Sequence, residues 1–219
     1  MTNLPVKKAK NRERTDLCEE MEKADFKSGV GDLHWVTSQT RVDHAVDTSR
    51  LQKRQQNATY GDYLDLGRII KEVKATASFS LRIRPISNPI LGAWTDSALY
   101  GTEGEVLDPD SDLEGYDKHK IYSQRGAFLA LVSQDHLDDV DDIPISLVDW
   151  RTKASKRVHH STFAAEAQAG TEAQGLAVYF RAYYCDVLLG QADWMDVAAY
   201  GEDQLKIVLL TDCKSLFDL

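Results

Sequence analysis

The 219-residue chain lacks the features that mark several classes of protein. Its three cysteines, Cys18, Cys185 and Cys213, are far apart and outside any CxxC spacing, which argues against a disulfide framework and a zinc site. No stretch approaches about 18 consecutive apolar residues, the length that crosses a bilayer. No apolar segment follows the basic residues near Met1, as a secretory signal would require. These absences predict a water-soluble, intracellular protein with no membrane partner.

The net charge of −9 is unevenly distributed along the chain. Residues 1–90 carry 16 Lys+Arg against 12 Asp+Glu, a net charge of +4. Residues 91–150 carry 3 against 14, a net charge of −11, and residues 151–219 carry 7 against 9, a net charge of −2. Because most of the acidity lies in one stretch, the whole-chain charge does not exclude a nucleic-acid-binding face elsewhere.

Composition and periodicity divide the chain into three segments. Residues 1–27 are polar and highly charged, which predicts disorder apart from a short helix near Leu17–Ala24. Residues 28–89 have helical spacing of apolar residues, so we expect a small helical unit that packs through a shared core. The predicted core residues are Trp35, Leu66, Ile69 and Val73. Asp62 is the predicted N-cap of the helix that carries the last three of them. Pro85 and Pro89 mark the boundary before the third segment, residues 90–219.

The third segment has the pattern of an α/β domain. Its order is three strands, a long helix, a fourth strand and the start of another helix, which predicts a mixed sheet. The predicted elements are Ile90–Thr95, Gly126–Val132, Ile143–Trp150, Thr162–Leu189 and Lys206–Leu210. A long acidic insertion, Tyr100–Tyr122, separates the first two strands.

Three acidic residues stand at informative places in this pattern. Asp96 follows the first strand, Asp212 follows the fourth, and Glu166 lies in the first turns of the long helix. If the two strands are neighbours, their carboxylates share one edge of the sheet and the helix brings Glu166 close to them. Converging carboxylates repel one another, and in proteins a bound cation usually neutralises their charge. Oxygen ligands suit Mg²⁺ or Mn²⁺.

Local sequence strings agree with this interpretation. AWTDSALYG, VDWRTKASKRVHHSTFAAEAQAG and VLLTDCKSLFDL resemble the ribonuclease H domain of copia-type (LTR) retrotransposon Pol polyproteins. The upstream tract FKSGVGDLHWVTSQTRVDHAVDTSRLQKRQQNATYGDYLDLGRII resembles the C-terminal end of the reverse transcriptase in the same elements. The resemblance covers residues from about 26 to 219 in the same order as in that family.

The resemblance implies a fold, an activity and a set of site residues. The fold would be α/β, a ribonuclease H-like mixed sheet preceded by a small helical segment, and the activity would be cleavage of the RNA strand of RNA–DNA hybrids. Asp96, Glu166 and Asp212 would be the catalytic carboxylates that bind two Mg²⁺ (or Mn²⁺) ions. The basic residues that would hold hybrid phosphates are Lys153, Lys156 and Arg157. Glu172 would be a solvated helix residue, and the remainder of the Pol polyprotein a partner, in a cytoplasmic particle or the nucleus.

The chain also departs from the family pattern. No YxDD-like pair of aspartates precedes the matched region, and Thr40–Asp43 lacks the proline of the usual TRPD. The chain ends in the helix after Asp212, whereas the family domain continues to a fourth acidic residue, so we expect a C-terminally truncated domain that cleaves hybrids poorly. A catalytically silent remnant with at most a nucleic-acid-binding or assembly role is the alternative. An integrase-like nuclease is disfavoured because its glutamate would follow both aspartates.

Overall fold

The computed structural model describes residues 11–100, 122–136, 143–155, 161–190 and 201–217. These residues form two compact units, which divide between Leu81 and Arg82. None of the helices in the described ranges combines the length and the apolar character that crossing a membrane requires.

The first unit consists of three helices around one core. Helix α1 spans Glu20–Gln39, α2 spans Ala45–Lys53 and α3 spans Tyr60–Ala75, with a 3₁₀ turn at Val42–His44 before α2. Apolar residues at three- and four-residue spacing place one face of each helix inside. The largest fully buried side chains of this core are Phe26, Val30, Leu33 and Leu66. The helical nature predicted for this segment is therefore confirmed.

The folded structure of the first unit extends to residues before the predicted boundary at residue 28. Helix α1 starts at Glu20, and Arg12 donates from Nη1 to the Glu22 carboxylate at 2.7 Å. The Cys18 N–H donates to the Ala58 carbonyl at 2.9 Å, which ties the segment before α1 to the segment before α3. The polar composition of this stretch indicated disorder, but in its described part Arg12 and Glu22 pair with each other within the fold.

Two predicted details of this unit are wrong. The Trp35 side chain was expected in the core, but Trp35 is 68% exposed. It lies outside the buried face of α1, which carries Val30 and Leu33. The N-cap of α3 is Thr59 rather than Asp62. Asp62 occupies the third helical position and completes a capping box, in which the carboxylate accepts from the Thr59 N–H at 2.9 Å.

The second unit is an α/β domain with a four-stranded mixed sheet. Its elements are β1 (Pro89–Tyr100), β2 (Tyr122–Ser133), β3 (Ile145–Ala154), α4 (Thr162–Leu189), β4 (Ile207–Leu210) and α5 (Lys214–Phe217). The strand order is β3-β2-β1-β4, with β1 antiparallel to β2 and parallel to β4. The predicted order of elements and the mixed sheet are confirmed.

Helix α4 packs on β1, β2 and β4 through a row of small side chains. Ala165, Ala169, Ala173 and Ala177 recur every four residues and are buried, so the helix approaches the sheet closely. The Ser161 hydroxyl accepts from the Ala164 N–H at 3.1 Å, and Gly190 ends the helix in the left-handed region (φ 67°). Both ends of α4 agree with the sequence prediction.

Strand β1 is longer than predicted. The apolar run ends at Thr95, but the ladder with β2 continues from Pro89 to Tyr100, so Asp96 lies within the strand and not at its end. The unit also begins before the predicted boundary at residue 89. The Arg84 N–H donates to the Ser146 hydroxyl at 3.3 Å, and the Asn88 carbonyl accepts from the Gln134 N–H at 3.0 Å, so these linker residues bond to the sheet unit.

Candidate metal centre

The register of two parallel strands brings Asp96 and Asp212 together. Trp94 of β1 is aligned with Leu210 of β4, and the two strands run in the same direction. Asp96 and Asp212 each lie two residues after this aligned pair, so they lie side by side just beyond the last paired residues of β1 and β4. A neighbouring pair of strands is about 4.8 Å apart, which is the distance over which two carboxylates can share a ligand.

Helix α4 supplies the third carboxylate. Glu166 is the fifth residue of α4 and is buried against β1. The Ser97 N–H of β1 donates to Glu166 Oε1 at 3.0 Å, which fixes the orientation of the carboxylate beside Asp96. The second oxygen, Oε2, is buried and has no hydrogen-bond partner among the described residues.

The three carboxylates form one cluster. One oxygen from each of Asp96, Glu166 and Asp212 can be chosen so that all three lie within 4.8 Å of one another. The expectation that these residues converge is therefore confirmed. Asp96 and Asp212 are exposed and Glu166 is buried, so the cluster has a fixed inner ligand and two ligands that solvent or a substrate can reach.

The environment of Glu166 favours its protonated form. Burial is the main cause and raises the pKa of Glu166 above its ordinary value. The hydrogen bond from the Ser97 N–H opposes this shift, while the charges of Asp96 and Asp212 raise the pKa further. Without a cation, Glu166 in the folded protein therefore binds its proton more tightly than a solvated glutamate does.

The donor set fits a hard divalent cation. All three side chains offer carboxylate oxygens, the ligands that Mg²⁺ and Mn²⁺ prefer. A cation at the cluster would give Glu166 Oε2 the partner that it lacks and would remove the repulsion that raises the pKa of Glu166. The residues present are therefore suited to bind such an ion.

The predicted phosphate-binding residues are only partly described. Lys153 lies in β3 with an exposed side chain, on the row of residues that joins Ser97 of β1 to Arg125 of β2. Lys156 and Arg157 lie outside the described residues, as does the acidic insertion between residues 101 and 121.

Sequence reasoning missed the residues that surround Lys153. Glu172 is an exposed helix residue, as predicted, but it also forms an ion pair with Arg125, whose side chain is only 6% exposed. Arg151 of β3 lies beside this pair. The available signal was strand alternation, because residues 125 and 127 of β2, and 151 and 153 of β3, share one face of their strands.

Comparison with protein-family models, curated proteins and solved structures gave no match to this chain. The geometry of the cluster and the sequence strings are therefore the basis for a function.

Proposed function

We propose that the second unit is a ribonuclease H-like domain that cleaves the RNA strand of RNA–DNA hybrids in a reaction that depends on Mg²⁺ or Mn²⁺. The observation that carries the proposal is the convergence of Asp96, Glu166 and Asp212 to within 4.8 Å. These are the three positions that the resemblance to copia-type retrotransposon polyproteins assigns to metal binding. The strand order, with β1 between β2 and β4, is compatible with that fold.

Each residue of the cluster has a distinct task in the proposed reaction. Glu166, held by the Ser97 N–H, is the fixed ligand, and its position does not depend on solvent. Asp96 and Asp212 are the exposed ligands, so they face the side from which a phosphodiester can approach. Two divalent ions, when bound, activate a water molecule and stabilise the leaving oxygen of a phosphodiester. The carboxylates contribute the charge that holds such ions and the geometry that fixes them.

The substrate class rests on the sequence strings and on local charge. The strings HSTFAAEAQA and TDCKSLFDL resemble those of the hybrid-cleaving domain rather than those of a general nuclease. Lys153, Arg125 and Arg151 supply positive charge beside the acidic cluster, although the whole chain is acidic. In this proposal the domain acts as part of a Pol polyprotein.

The test is a cleavage assay with a hybrid labelled on its RNA strand, in Mn²⁺ and in Mg²⁺. We expect cleavage that is confined to the RNA strand, requires the metal ion, and is lost by at least about 100-fold in Asp96→Asn, Glu166→Gln and Asp212→Asn. Duplex DNA and duplex RNA of the same sequence are the substrate controls. Asp203→Asn is the matched control variant, because Asp203 is an exposed aspartate of the same unit outside the cluster.

Binding of Mn²⁺, followed by electron paramagnetic resonance, separates the metal site from the reaction. Cleavage that persists in Asp96→Asn would contradict the assignment of the site. Loss of Mn²⁺ binding in the three variants, together with no cleavage by the unchanged protein, would instead favour the catalytically silent alternative. Equal Mn²⁺ binding by all variants would contradict the metal centre itself.

A further inference from the structure

A groove lies beside α4, on the sheet face against which this helix packs. It encloses about 350 Å³, and its walls come from β2, β3 and one side of α4. The helix packs on β1, β2 and β4, so the sheet extends past it on the β3 side and leaves this space. The lining residues that the argument uses are Arg125, Arg151, Lys153, Glu172 and Gly175.

Positive charge dominates the groove. Arg125, Arg151 and Lys153 line it against the single carboxylate of Glu172. Asp149 lies next to Arg151, with 3.6 Å between its Oδ2 and the Arg151 Nε. The Lys153 ammonium forms no ion pair with a residue in the described part of the chain. An anion in the groove would therefore meet two exposed cations and one buried cation.

Arg125 is the unusual member of this set. Its side chain is 94% buried, and its Nη1 pairs with Glu172, whose carboxylate is half-exposed at the rim. The Arg125 Nε is also buried and has no hydrogen-bond partner among the residues that the structure describes. A buried guanidinium requires an anion, because an unpaired charge in the protein interior is costly. Glu172 meets that requirement in the protein alone.

We propose that the groove binds a backbone phosphate of the nucleic acid, with Arg125, Arg151 and Lys153 as its ligands and Glu172 as the carboxylate that the phosphate displaces from Arg125. The proposal rests on the proposed function for the class of substrate and extends the phosphate contacts from Lys153 to Arg125, Arg151 and Glu172, to which the resemblance assigns no phosphate contact. The exchange replaces one anion by another, so Arg125 is never left unpaired. Arginine binds phosphate through two N–H groups at once, which suits this exchange.

The position of the groove agrees with a strand that continues from the metal centre. Arg125 is aligned with Ser97, whose N–H holds Glu166, and Lys153 is aligned with Arg125 on the next strand. With neighbouring strands about 4.8 Å apart, Arg125 lies about 5 Å and Lys153 about 10 Å across the sheet from β1. A nucleic-acid strand rises about 3.4 Å per nucleotide, so the groove is within a few nucleotides of the carboxylates.

The experiment measures equilibrium binding of a labelled RNA–DNA hybrid in EDTA, so that neither metal binding nor cleavage contributes. We expect Lys153→Gln and Arg151→Gln each to weaken binding about 10-fold and to lower the slope of log affinity against log salt by about 1. Glu172→Gln is expected to strengthen binding several-fold, because the phosphate no longer competes with a carboxylate. Lys71→Gln in α3 is the matched control, as Lys71 is an exposed lysine of the first unit.

Loss of Arg125 alone would leave Glu172 without its partner, so the folded state needs its own control. The double variant Arg125→Gln/Glu172→Gln removes both charges, and we expect it to keep the thermal midpoint within a few degrees while binding the hybrid at least 10-fold more weakly. Circular dichroism verifies the fold of each variant. Weaker hybrid binding in Glu172→Gln, or unchanged binding in the double variant and in Lys153→Gln, would overturn the proposal.

Two further ligands distinguish the possible sources of the bound phosphate, and the cleavage assay distinguishes this proposal from the proposed function. Single-stranded DNA tests whether one strand suffices, and inorganic phosphate tests a small-anion site. The assignment to a nucleic-acid strand would be overturned if millimolar inorganic phosphate stabilised the protein against thermal unfolding while substitutions in the groove left the binding of every nucleic acid unchanged. Absence of cleavage together with groove-dependent binding would contradict the proposed activity and leave the groove assignment supported.

Discussion

At the scale of single residues, the charge of Glu166 has opposite effects on the stability of the metal-free fold and on metal binding. The folded protein holds the Glu166 proton more tightly than the unfolded chain does, because burial raises the pKa of this carboxyl group. Stability from this group is therefore greatest below the ordinary glutamate pKa and is lost as the pH rises to the higher folded value. The same residue is the fixed ligand of the proposed metal centre, so its charge weakens the metal-free fold and is needed for binding.

The substitution Glu166→Gln tests this pair of properties. In EDTA at pH 7, we expect the variant to have a higher thermal midpoint than the unchanged protein, since the amide keeps the bond from the Ser97 N–H and carries no buried charge. The difference should shrink as the pH is lowered through the glutamate range. In millimolar Mg²⁺, only the unchanged protein should gain stability. Asp203→Asn is the control, and a lower midpoint for Glu166→Gln in EDTA at pH 7 would contradict the argument.

Cys18 provides a residue-scale prediction in the first unit. Burial raises the pKa of its thiol to about 11, so little reactive thiolate is present near neutral pH. At pH 8 we expect the alkylation rate of Cys18 by iodoacetamide to be lower than that of an unhindered thiol by roughly 100-fold or more. Peptide mass spectrometry of timed samples measures each rate, and unfolding in guanidinium should restore it. Comparable rates at Cys18 and at the partly exposed Cys213 in the native protein would contradict the prediction.

At the scale of elements, the start of α3 depends on two side chains. The Thr59 hydroxyl accepts from the Asp62 N–H at 3.2 Å, and the Asp62 carboxylate accepts from the Thr59 N–H, so two otherwise unpaired donors are satisfied. We expect Asp62→Ala to lower the free energy of unfolding by about 1–2 kcal/mol in urea titrations. Asp65→Ala is the control, because the exposed ion pair of Asp65 with Arg14 contributes at most about 1 kcal/mol. Equal losses for the two variants would contradict a capping role.

The elements that could be predicted are those whose signals are local. The bounds of α4 follow from a serine that caps its start and a glycine that adopts positive φ at its end, both visible in the sequence. The extension of β1 past Asp96 follows from pairing with β2, which is a property of two distant segments. The pairing of Arg125 with Glu172 likewise joins residues 47 positions apart, and no local pattern indicates it. The convergence of the three carboxylates was predictable because Asp96 and Asp212 each follow an apolar run and Glu166 lies in the first turns of α4, although β1 extends past Asp96.

At the scale of the whole molecule, the candidate site belongs to one unit. Asp96, Glu166 and Asp212, and the residues of the groove, all lie between Arg82 and the end of the chain. The first unit has its own core of buried side chains, including Phe26, Leu33 and Leu66. The connection between the units passes through residues 80–83, which lack helix and strand pairing. The two units should therefore tolerate a break in this connection.

Limited trypsin digestion tests this division. Arg82 is exposed in the connection, whereas Arg68 and Lys71 lie in the hydrogen-bonded interior of α3, where cleavage requires the helix to open. We expect cleavage after Arg82 to precede cleavage after Arg68 and Lys71 by at least about 10-fold in rate, as measured by mass spectrometry of timed samples. Arg84 is not a competing site, because Pro85 follows it. Early cleavage after Arg68 with the Arg82 bond intact would show that α3 opens more readily than the connection, and the division at Leu81 would then be wrong.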